Sequence, residues 1–234
     1  MAKQTEFLEK YFYFGMSLLI AVVVVYGFSH TVDKNLLHPA VARPFLLYIH
    51  TAIFCGWVIF FIVQTALVRI RNVQLHRRIG WFGAALGVAI PFMGISTAIT
   101  MARFKITQLH SPSTPVESDL LAPFFDMIAF TVPFSLAMVW RKRMDYHRRL
   151  ILIASCALTS AAFGRFPIMP SDFFYAGVDA LIFLGVIRDL IVDRRIHPIY
   201  LYGLPTLILG QVVVMVISTH ELQIWLQLAR TILG

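Results

Sequence analysis

With 234 residues, 59% of them hydrophobic and only 14% charged, and a mean hydropathy of +0.76, the chain is too apolar for a water-soluble domain of its size. Its net charge of +8 would suit a nucleic-acid binder, but the basic residues bracket long apolar runs and form no single patch. Cys55 and Cys156 fall inside those runs and make no CxxC motif or disulfide framework, so both are expected as buried free thiols.

A hydrocarbon core ~30 Å thick needs roughly 20 apolar residues per helix. Seven runs satisfy this, at about 11–28, 45–68, 80–101, 120–140, 150–166, 174–192 and 200–218. The expected fold is therefore all-α: a polytopic seven-transmembrane-helix bundle in which residues 1–234 form one transmembrane domain. The opening MAKQTEFLEK has mixed charge and no cleavage site after its apolar run, so the first run reads as a span and not as a signal peptide.

The charges orient the bundle. The N-terminus and the second-to-third, fourth-to-fifth and sixth-to-seventh loops carry fourteen of the twenty Lys and Arg residues. The positive-inside rule then places the N-terminus in the cytoplasm and the C-terminus in the periplasm.

In chain order, the second run carries His50, Trp57, Gln64 and Arg71 at steps of seven, nearly two helical turns, and so along one slowly drifting face. The third opens on His76, Arg77 and Arg78 and contains Gly83 and Gly87, a GxxxG face suited to close helix packing and to oligomer contacts. Pro91 and Pro133 should kink the third and fourth runs. The fifth opens on His147, Arg148 and Arg149, which repeats the first triplet. An offset of 71 aligns the two triplets, yet most polar positions do not repeat. The segment at about 220–233 places Leu222, Trp225, Leu226, Ala229 and Leu233 at helical spacing, as an amphipathic interfacial helix would.

The stretches LYIHTAIFCGWVIFFIVQTALVRIRNVQLHRRIGWFGAALG, YHRRLILIASCALTSAAFGRFP and DRRIHPIYLYG carry a further signal. From about Arg43 to Gly203 the chain resembles uncharacterised bacterial multi-pass inner-membrane proteins with HRRLG-type and HKRL-type motifs at cytoplasmic helix mouths. Here the second motif has Arg148 for the usual Lys, which keeps the charge. The resemblance implies a bacterial inner (cytoplasmic) membrane location and brings no activity with it.

Two candidate sites follow. Ionisable residues inside spans are costly and are functional candidates by default. His50, Asp126, Arg165 and Asp179 share one outer-leaflet layer, with Arg165 expected to pair with an acid. That layer points to handling of protons or a small molecule, and Trp57, Gln64 and Arg71 extend the polar stripe. At the cytoplasmic mouths, His76, Arg77, Arg78, His147, Arg148 and Arg149 read as anchors on anionic lipid headgroups or as a ligand site. Alternatives are a b-type haem electron carrier using His50, His76 and His147 (with His30, His38 or His110 as outer partners) and a non-enzymatic assembly protein of a membrane complex. No other metal site is expected. No span contains Lys, which excludes a retinal Schiff base, and no Walker A, GxSxG or HExxH motif occurs.

Overall fold

A computed structural model describes residues 2–170 and 173–234, and every regular element among them is helical. The helices are α1 (Ala2–Ser29), α2 (Phe45–Arg69), α3 (Val73–Thr107), α4 (Ser113–Asp119), α5 (Leu121–Val139), α6 (Met144–Ala157), α7 (Ser160–Phe163), α8 (Phe174–Val192), α9 (Pro198–Thr219) and α10 (Gln223–Leu233). A short π-helical turn, Asp33–Leu37, follows α1. Five helical segments are long and apolar enough to cross a membrane: Thr5–Ser29, Phe45–Arg69, Val73–Thr107, Ser113–Val139 and Pro198–Thr219. The chain is thus a multi-pass helical membrane protein by length and composition.

Of the two remaining expected spans, α8 is apolar but carries three charges, Asp179, Arg188 and Asp189, and α6 is only 14 residues long and is enclosed by protein. Helices α1, α2, α3, α5, α9 and α8 form a closed ring of neighbours around α6. Leu150, Leu152, Ala154, Ser155, Cys156 and Ala157 of α6 are all buried, which suits a helix with partners on every side. Its small residues let the neighbours approach. Where the sequence predicts one span over 150–166, α6 starts at Met144 and stops at Ala157. Thr159 Oγ1 donates to the Cys156 carbonyl oxygen at 2.6 Å at this break, and α7 resumes at Ser160. A broken helix is tolerated at membrane depth when protein surrounds it.

Glycines set the helix spacing. A β-carbon at Gly27 of α1 would overlap the Ala162 carbonyl of α7. Gly83 and Gly87 are buried, the first against Phe60 of α2 and the second against Phe134 of α5. The GxxxG face expected to join copies of the chain is therefore occupied within the bundle. Helices α3 and α5 run on through Pro91 and Pro133 without a break in the helix.

Aromatic and ionic contacts draw the basic segments to one end. Arg69 donates to Tyr11 Oη at 2.5 Å, the Arg141 guanidinium lies 5.8 Å from the Trp81 ring centre, and Tyr146 meets His197 edge to face at 4.7 Å. At the opposite end α4 and α10 pack together as a cap. Trp225 Nε1 donates to the Glu117 carbonyl oxygen at 3.0 Å, and Arg230 Nε donates to Glu117 Oε2 at 2.9 Å. The C-terminal helix expected to lie in the interface thus docks by its apolar face on protein, and leaves Ile224 and Leu228 outward. Cys156 is buried as expected, but Cys55 is exposed on the outer side of α2.

Candidate functional site

The two His-Arg-Arg triplets meet different surroundings because α3 is peripheral and α6 central. Arg77 and Arg78 are exposed and have no partner among the described residues. His76 Nδ1 is buried without a partner. In the second triplet, His147 Nδ1 lies 2.9 Å from the Ala137 carbonyl oxygen. A carbonyl only accepts, so Nδ1 carries a proton, and in the neutral ring Nε2 keeps its lone pair. The Arg148 guanidinium lies 5.5 Å from the Tyr13 ring centre on α1 and donates to Asp145 Oδ1 at 3.2 Å.

Arg149, expected at the cytoplasmic mouth as a lipid anchor or part of a ligand site, faces the bundle interior. It is 2% exposed and donates through Nε and Nη2 to the two carboxylate oxygens of Asp189, both at 2.8 Å. The same Nη2 reaches Asp193 Oδ2 at 2.6 Å, and Nη1 reaches the Asp145 carbonyl oxygen at 2.9 Å. Arg188 completes the cluster: its Nη1 donates to Asp189 Oδ1 at 3.0 Å and to Asp193 Oδ2 at 2.6 Å. Asp189 is fully buried, so two guanidinium groups compensate it where water is absent. Neither Arg188 nor Asp189 stands out in the sequence. Arg188 reads as one more loop cation, and Asp189 lies beside it near the end of a run. Opposite charges adjacent inside an apolar run were the signal that could have exposed them.

A cleft of about 370 Å³ opens beside this cluster, lined by Asp145, Arg148, Arg149, Asp193, Arg195 and His197. His197 caps α9, and its Nδ1 accepts from the Ile199 amide at 3.3 Å. Partial burial, with the Arg149 charge, lowers the His197 pKa below its ordinary value and favours neutral imidazole.

The outer layer is partly assembled. Asp126 of α5 accepts from Ser160 Oγ at 2.5 Å and from Tyr175 Oη at 3.2 Å. Asp179, one turn beyond Tyr175 on α8, accepts from Gln211 Nε2 of α9 at 3.0 Å. Arg165 pairs with neither acid. It donates to the Ala161 carbonyl, and its guanidinium lies 4.5 Å from the Phe28 ring centre. The expected ion pair is thus replaced by cation–π and main-chain contacts, because the helix ends at Phe163 and turns Arg165 toward α1. His50 stacks on Phe54 at 4.0 Å and leaves Nδ1 buried and unpartnered.

The stripe on α2 also divides. Trp57 Nε1 donates to Ser155 Oγ of α6 at 3.3 Å. Gln64 is buried with both amide atoms unpaired. Arg71 lies beyond the end of α2 at φ 62°, so it is not on that helical face. There Asn72 N bonds the Leu67 carbonyl at 2.9 Å and Arg71 N bonds the Val68 carbonyl at 3.0 Å, a closure that commonly uses Gly. Among the described residues no group of three His, Cys, Asp or Glu is placed to hold a metal ion. No protein-family model, no curated protein and no solved structure matches this chain.

Proposed function

We propose that the chain is a seven-span protein of the bacterial inner membrane, N-terminus cytoplasmic and C-terminus periplasmic, that handles protons or a small polar solute at Asp126. One observation carries this reading. Asp126 and Asp179 sit on apolar helices, and among the described residues each is held by neutral donors alone. An ionised carboxylate in such a place is costly without a cation, so proton uptake is the natural response. The break before α7 brings the Ser160 hydroxyl to Asp126.

Difference infrared spectroscopy on the protein in liposomes tests this. Stepping the pH should produce a carboxyl C=O band that Asp126→Asn removes. If the band is unchanged in that variant, the assignment of the proton to Asp126 is wrong.

One detail favours the haem alternative: the bond from His147 Nδ1 to Ala137 leaves Nε2 basic, as a metal-ligating His requires. Protein from haem-supplied cells would then show a Soret band, lost in His147→Ala. A colourless product eliminates that reading.

A further inference from the structure

The cleft at the basic end is a separate matter from Asp126. Its two acids are already neutralised. Asp193 Oδ2 accepts from Arg149 and Arg188, each at 2.6 Å, and Asp145 Oδ1 accepts from Arg148 at 3.2 Å. Arg195 on the rim is exposed and has no partner among the described residues. One cation is therefore left over.

The hydrogen-bonding capacity is unbalanced in the same direction. Arg148 Nε, in the cleft wall, is buried with no acceptor. Behind the wall, Arg188 Nε and the hydroxyls of Tyr200 and Tyr13 are also buried and unpartnered. Arg188 and Tyr200 are each 2% exposed. A buried donor left without an acceptor is costly. Of these residues only Arg148 lines the cleft, and a guanidinium can be satisfied only by an acceptor.

His197 adds a further donor. Because its Nδ1 accepts from Ile199, the proton of the neutral ring sits on Nε2. It stands at the start of the 22-residue α9, where the helix dipole favours negative charge.

We propose that the cleft binds a phosphate monoester, with Arg195 and Arg148 on its oxygens and the His197 Nε2–H donating at the α9 N-terminus. Three donor side chains in one cleft lining suit a group with three terminal oxygens better than a carboxylate with two. The cleft's 370 Å³ leaves room for a substituent beyond the phosphate. The phosphate belongs either to a lipid headgroup or to a soluble metabolite.

The test uses the full chain in neutral detergent, titrated with inorganic phosphate and, separately, with a short-chain phosphatidic acid. Binding is read by calorimetry. Saturable binding of inorganic phosphate supports a soluble ligand, and binding of the phosphatidic acid alone supports a lipid headgroup. In either case Arg195→Ala should weaken binding about tenfold, the loss of one charge-assisted contact. It should leave thermal unfolding unchanged, because Arg195 holds nothing else in place. Arg195→Lys should recover part of the affinity. Binding of neither probe, or equal binding by Arg195→Ala, overturns the proposal.

Discussion

Arg148 and Arg149 are consecutive in sequence and about 100° apart around α6, and that rotation decides what each does. Both line the cleft, but Arg148 is partly exposed and pairs with Asp145, whereas Arg149 is buried and pairs with Asp189 of α8. A run of basic residues before an apolar run looks the same in sequence whether its members face headgroups or protein. For that reason the triplet was legible as a boundary but not as an ion cluster. Arg149→Ala should be among the most damaging single changes, because it leaves Asp189 buried with only Arg188. A loss of about 3–5 kcal/mol is expected, read by unfolding in detergent. Arg149→Lys should fall in between, since an ammonium cannot span both Asp189 oxygens. Wild-type stability for Arg149→Ala would show that water already solvates Asp189.

Among the helices, the peripheral ones were the easiest to read. α2 and α9 follow their apolar runs to within a few residues, because a lipid-facing helix must be apolar on its outer side. The central α6 was misplaced for the same physical reason. Its neighbours are protein, so Ser155, Thr159 and Ser160 are admissible there, and its apolar signal weakens just where it breaks. The cap of α4 and α10 was also hidden, since its bonds join Glu117 to residues more than a hundred positions away. Glycines give an internally controlled test of helix spacing. Gly27→Ala should destabilise by about 1–3 kcal/mol, because the methyl meets the rigid main chain of α7. Gly15→Ala, in the same helix with nothing near its β position, should be neutral or slightly stabilising. Equal unfolding temperatures for the two variants would contradict the close contact between α1 and α7.

At the scale of the whole molecule, the loops rich in Lys and Arg gather at one end, as the charge count anticipates. The proposed direction across the membrane follows from that gathering. A periplasm-dependent reporter fused after Gly234 should be active, and one fused in the turn between α2 and α3 should be silent. The reverse pattern would invert the topology, and activity at both points would change the number of crossings. The candidate site is less predictable at this scale. Asp126 and Asp179 were evident as charges in apolar runs, but their partners Ser160, Tyr175 and Gln211 are ordinary polar residues that only the fold brings near.

The ring around α6 also dictates an order of synthesis. Helices α1, α2, α3 and α5 are apolar enough to enter a bilayer singly, and all precede α6 in the chain. Helix α6 carries the buried Arg149 and ends at a break, and the Arg149 counter-charge Asp189 lies on α8, which is made afterwards. It therefore leaves the ribosome before the group that neutralises it exists. Arg149 gains its buried carboxylate partner only once α8 is made, so a chain truncated before Asp189 should be held at the insertion machinery or degraded.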